Sequence, residues 1–175
     1  MIPPLSDTTD LRQGPEINEA LLAVLPLVGN WAGAGTGIKP GTEEAFDYAQ
    51  RVTFSHDGRP FLSYASHTWL LDADGEVLRP AFRENGFLRL GADPDVLELV
   101  LATAAGIVEV HAGRAGDQRW EFLTTAVGFT PTAKEVSGER RLYALTPDGA
   151  LGYVQELAIE RGDYQPHLNA LLVRE

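Results

Sequence analysis

The chain contains no cysteine, which removes disulfides, thiolate metal sites and cysteine nucleophiles together. Positive charge is scarce too. Across 175 residues, 14 lysines and arginines stand against 25 aspartates and glutamates, for a formal net charge of −11. A nucleic-acid backbone or an anionic membrane surface is repelled by such a chain, so neither is expected as a partner. No apolar run approaches the roughly 18 residues of a membrane-spanning helix, and residues 1–10 lack the basic start and hydrophobic stretch of a secretory signal. A cytoplasmic setting is expected. Phosphate-binding loops are also missing. Gly29-Asn30-Trp31-Ala32-Gly33-Ala34-Gly35 looks like one, but Ile38 stands where a dinucleotide fingerprint needs its third glycine, and Lys39 is followed by Pro40 rather than Ser or Thr.

What is present reads mostly as β-strand. Residues 1–15 are rich in Pro, Thr, Asp and Gly and read as a flexible arm; residues 16–175 read as one domain. Ile17, Ala20, Leu21, Val24 and Leu25 recur at the spacing of one helical face, and Pro26 with Gly29 ends a short N-terminal helix. Beyond Pro40 the period becomes two, and turn signals such as Asp57-Gly58, Asp74-Gly75 and Pro147-Asp148-Gly149 arrive about every 8 to 18 residues. With the strand at Trp31 this makes about ten strands. Short connections force antiparallel neighbours, and closure removes the sheet edges. The expected fold is therefore all-β, an antiparallel up-and-down β-barrel. More than eight strands leave an interior wider than side chains fill, so an internal ligand is expected. Strands after Val96 are apolar on both faces in places, which suits a partner outside the wall, a homodimer being one possibility.

Four histidines are the natural candidates for chemistry: His56, His67, His111 and His167. No two stand at metal-pair spacing. In Ser55-His56-Asp57 the neighbours point to opposite faces and Asp57-Gly58 makes a turn, so His56 is expected in solvent. His67 and His111 read as half-exposed or hydrogen-bonded strand residues. His167 opens the last strand just after Pro166, and by period two it shares a face with Asn169, Leu171 and Val173. It is placed either as a structural imidazole or as a single axial ligand to a haem iron. Glu98, Glu109 and Glu121 fall singly in separate strands and read mostly as outward-facing. Lys134, Arg140 and Arg141 form the densest basic group of the C-terminal half, a solvated face or a set of cations for an anionic ligand.

Taken together, these pieces resemble the nitrobindin family, small haem-binding β-barrels of fatty-acid-binding-protein and lipocalin shape. Gly29, Trp31, Gly33 and Gly35 match that family's Gly-x-Trp-x-Gly-x-Gly motif. Pro60 to Tyr64 with Thr68-Trp69, Glu84-Asn85-Gly86 with Arg89, Gly106 to Val110 with Gly113, Thr132 to Val136 with Arg140-Arg141, and Pro166-His167-Leu168 extend the match in order. The resemblance implies one haem b per subunit, His167 as the axial ligand to iron and the catalytic residue, and Lys134 against the haem. It also implies isomerisation of peroxynitrite to nitrate and binding of nitric oxide. Leu157 to Tyr164 and Pro80 to Arg83 depart from segments that often carry a methionine and a histidine in relatives. A carrier of an apolar molecule such as a fatty acid is the alternative that the same barrel supports.

Overall fold

The computed structural model describes residues 7–159 and 162–175. Its ten strands are β1 (Gly29–Ile38), β2 (Ala45–Ser55), β3 (Phe61–Leu71), β4 (Val77–Leu90), β5 (Val96–Thr103), β6 (Ile107–Gly116), β7 (Arg119–Phe129), β8 (Gly138–Leu145), β9 (Leu151–Ala158) and β10 (Gln165–Arg174). Each pairs antiparallel with its sequence neighbour, and β1 pairs with β10, so the sheet closes on itself. Alternation decides which residues enter the lumen. Along β2, Tyr48, Gln50, Val52 and Phe54 are buried while Asp47 and Arg51 face out.

Closure depends on two glycines of the motif in β1. Gly33 and Gly35 lie opposite Leu172 and Ala170 of β10. A Cβ on Gly33 would sit 2.1 Å from the carbonyl oxygen of Leu171, and one on Gly35 1.9 Å from that of Asn169. Neither position tolerates a side chain while the two strands stay this close. The β7–β8 ladder, by contrast, is short, running only from Arg119–Leu123 against Arg140–Ala144. Beyond it, among the described residues, the Thr124 hydroxyl bridges to the Glu139 backbone, and residues 126–129 of β7 pair with β6.

One end of the barrel is plugged. Leu21, Val24, Leu27 and Val28 are fully buried there with Trp31 and Trp120. The Trp31 indole N–H donates to the Leu27 carbonyl at 2.7 Å, and that of Trp120 to the Ala23 carbonyl at 2.7 Å. The Arg174 guanidinium lies 4.2 Å over the Trp31 ring. The plug is the amphipathic segment expected as a helix, but it folds as two 3₁₀ turns, Glu19–Ala23 and Leu25–Leu27. Pro26 contributes to the difference, because it has no N–H to give to the Leu22 carbonyl in a continuous α-helix.

The arm expected to be flexible is, from Asp7 onward, laid on the barrel. Thr8 and His56 exchange backbone hydrogen bonds of 2.9 and 3.0 Å, and the Asn30 side chain donates to the Thr9 hydroxyl. His56, expected in solvent, is 1% exposed at this contact. The first six residues of that arm lie outside the described residues.

Two substitutions separate plug from seam. Trp31→Ala should cost roughly 3–5 kcal/mol, as for other buried tryptophans. Gly35→Ala should cost about 1–3 kcal/mol by forcing β1 from β10, whereas Gly128→Ala, whose added carbon meets nothing within 4 Å, should be near neutral. Urea midpoints measure all three; equal losses at Gly35 and Gly128 would remove the seam constraint.

Candidate functional site

The opposite end of the barrel opens into a cavity of about 340 Å³. Its wall is apolar at Phe46, Leu70, Phe82, Ile107, Val136, Leu157 and Leu168, and Lys39 and Arg79 reach it with positive charge. Tyr48, Thr68, Thr103, Glu109, Glu139, Arg141, Gln155 and His167 supply its polar lining. The strand ends thus bring together residues from opposite walls that lie far apart in the chain.

His167 reaches this cavity through a fault in the ladder. Strict alternation would turn it outward with Asn169 and Leu171, both exposed. However, the β9–β10 register slips between Pro166 and Leu168, so His167 is the extra residue of a β-bulge. A bulge re-aims the side chain it carries, and His167 and Leu168 both line the cavity. The imidazole Nδ1 lies 2.8 Å from the carbonyl oxygen of Ile38. A carbonyl can only accept, so Nδ1 carries the hydrogen and Nε2 keeps its lone pair. Burial lowers the histidine's pKa, only partly offset by that hydrogen bond, which favours the neutral ring. A neutral imidazole with one nitrogen tied to a carbonyl and the other free is the form that ligates a metal. An imidazole in this form, an apolar wall around it and cations at the rim make a donor set of the kind that suits a haem.

Beneath the cavity lies a buried charge network. Arg141 donates through both terminal nitrogens to the Glu84 carboxylate, at 2.5 and 2.7 Å, and through Nε to Glu139. Glu139 also accepts from His111 Nε2 at 2.8 Å and from the Gln155 amide. The Tyr64 hydroxyl donates to Glu84 at 2.6 Å, and the Tyr143 hydroxyl, 2.9 Å away, therefore donates to Tyr64. Burial alone would raise the Glu139 carboxyl, but Arg141 and His111 outweigh it and hold the group well below the usual carboxylate range. Glu109 is the opposite case. Burial first, then the nearby Glu139 charge, pushes its pKa up to about 8. Ligand atoms of Glu109, His111 and Glu139 lie within 4.8 Å of one another, a spacing that would suit a metal ion. Yet His111 already uses both nitrogens, the second against the Leu99 carbonyl at 3.2 Å, and the Arg141 guanidinium sits on the same Glu139 oxygen. These donors are engaged with protein partners.

The remaining sequence candidates scatter. Lys134 is exposed on the connection between β7 and β8, two residues from Val136, and is not among the residues lining the cavity. Arg140 faces out, 4.4 Å over the Tyr164 ring, while Arg141 points in and is saturated by glutamates rather than free for an anion. Glu98 and Glu121 pair with Arg89 and Arg119 on the outer wall. His111 is hydrogen-bonded as expected, and His67 is half-buried on the outside. Glu109, read as one of a set of mostly outward carboxylates, is buried and lines the cavity. A signal for it existed. In Ile107-Val108-Glu109-Val110-His111 the polar residues share parity with Ile107, and the two valines are the exposed ones.

A family model described as "THAP4-like, heme-binding beta-barrel domain" matches residues 20–174. A protein of Saccharopolyspora erythraea named "Ferric nitrobindin-like protein" is 46% identical over 175 residues, 99% of this chain and 82% of its own. "Peroxynitrite isomerase 2" of Rhodococcus jostii is 43% identical over 181 residues, covering 99% and 84%. The crystal structure of Rv2717c from M. tuberculosis superposes with a TM-score of 0.78 at 36% identity, over 91% of this chain and 99% of that one.

The proton on Glu109 ties stability to pH. Its carboxyl ionises near 8 in the fold against an ordinary 4.5 in the unfolded chain. Its stabilising effect is complete below about 4.5, declines as pH rises by up to about 1.4 kcal/mol per unit, and is gone above about 8. Glu139, shifted downward, has the opposite sign and loses its contribution as pH falls below the usual carboxylate range. Glu109→Gln should flatten the slope of unfolding free energy between about pH 5 and 8, measured by urea titration. An unchanged slope would place the proton elsewhere.

Proposed function

The chain belongs to the THAP4-like haem-binding β-barrel family, and from that premise we propose that it carries a ferric haem b in the open-end cavity and isomerises peroxynitrite to nitrate there. The observation that carries this is His167, neutral, tied at Nδ1 to the Ile38 carbonyl and, among the described residues, without a partner at Nε2. Two relatives named above as a nitrobindin-like protein and a peroxynitrite isomerase support the same activity.

When bound, the haem supplies the iron chemistry by which an O–O bond is broken and the fragments recombine on nitrogen. The chain's own residues do the rest. His167 would hold the haem iron through Nε2, and the Ile38 carbonyl fixes its tautomer and strengthens its basicity. Phe46, which meets the imidazole at a ring-centroid distance of 6.4 Å, helps hold its plane. The apolar wall excludes water from the reacting side. Lys39 and Arg79, which line the cavity, and Lys134 on the adjoining loop are the cations available to the two propionates. Nitric oxide, small and neutral, is proposed as a second ligand of the same iron. Exposed Val108, Val110, Leu123, Val154, Leu171 and Val173 support a second copy against the outer wall, and the cytoplasm is the proposed compartment.

Ferric haem titrated into the apo protein should give a Soret shift that saturates at one haem per chain, and His167→Ala should abolish it. Full uptake by the variant would remove His167 as ligand. Displacement of a fluorescent lipid without any haem uptake would instead favour the apolar carrier.

A further inference from the structure

Glu109 and His167 face one cavity from nearly opposite walls. Each is the third residue of its strand counted from the open end, and β6 lies four strands from β10 one way round the ring and six the other. Glu109 is 4% exposed, and its Oε1 has no hydrogen-bond partner among the described residues. Tyr48 Oη, lining the same cavity, is equally unpaired. A buried carboxyl oxygen left without a partner is costly unless something else meets it.

Its protonation follows from its neighbours. A Glu109 oxygen lies within 4.8 Å of a Glu139 oxygen, and a carboxylate that close makes ionising the second one costly. Glu139 holds Arg141 and His111; Glu109 holds neither, and Thr124 on β7 offers it only a hydroxyl. Both nitrogens of His111 are engaged, one with the Leu99 carbonyl and one with Glu139, so neither is left for Glu109. Arg141 is already taken up by Glu84 and Glu139, so an ionised Glu109 would add a buried negative charge with no ion-pair partner of its own among the described residues.

We propose that Glu109, as a neutral carboxylic acid, is the hydrogen-bond donor that receives the oxyanion reactant in the pocket, from the wall across from His167. This rests on the haem assignment of His167. The pocket thereby discriminates by charge: the acid form donates to an anion, and the ionised form repels it. Neutral ligands are indifferent to the change.

The apo protein tests the proton and the loaded protein tests the ligand. Infrared spectra of apo protein at neutral pH should show a protonated-carboxyl C=O band that is absent in Glu109→Gln and that disappears from the wild type as pH rises through about 8. Azide binding to the ferric haem protein, followed by the Soret band, should weaken about tenfold by one pH unit above that point in the wild type. Glu109→Gln should lack this drop, and imidazole, a neutral ligand, should follow the same profile in both proteins. Identical azide profiles, or no band lost in the apo variant, would overturn the proposal. Failure to take up haem would overturn the assignment of His167, and with it the ligand named here, while the infrared band would still report the proton.

Discussion

The structure turns on how closely β1 approaches β10. Barrel closure requires the two outermost strands of a ten-strand meander to meet, and Gly33 and Gly35 let the backbones come within a distance that any Cβ would forbid. The same seam, followed toward the open end, brings the Ile38 carbonyl beside the imidazole of His167. One contact therefore closes the barrel and sets the tautomer of the proposed ligand. The β10 bulge completes the arrangement, because without the extra residue the imidazole would leave the lumen.

The lumen below is organised by charge rather than by apolar packing alone. Arg141 is fully buried, and the cost of taking its guanidinium out of water is met only because each of its nitrogens finds a carboxylate. Such a cluster adds little net stability, since a well-packed apolar replacement could do as well. What it does is fix polarity inside the barrel. The satisfied groups surround Arg141, while Tyr48 Oη and Glu109 Oε1, two of the few buried polar atoms left unpaired among the described residues, border the cavity.

Much of the fold was legible because strand boundaries follow turn residues and period-two alternation, both local. Trp31 sits in the plug because a large apolar residue among glycines at the head of a strand has few places to go. The site was legible only in part. His167 stood out by type and by its proline, yet alternation placed it with Asn169 and Leu171, and no local signal announces a one-residue slip against β9. His56 was misjudged because its burial goes with an arm 48 residues upstream. Arg140 and Arg141 look alike in sequence, but one strand step puts one in water and the other among glutamates from β4 and its own strand. Glu109 is of a residue type that mostly faces water, although its parity with Ile107 and His111 points inward.

The short ladder between β7 and β8 gives the two ends of the molecule different mechanical characters. At the plugged end the 3₁₀ turns, Trp31, Trp120 and Arg174 tie strands to one another across the lumen. Past Thr124 no β7–β8 ladder bond spans the wall, and the 130–137 connection that carries Lys134 crosses the gap instead. Prising that slit apart breaks no rung between those two strands. Among the described residues the wall at this end therefore holds together by fewer rungs than the plugged base, and it is the end where local opening costs least.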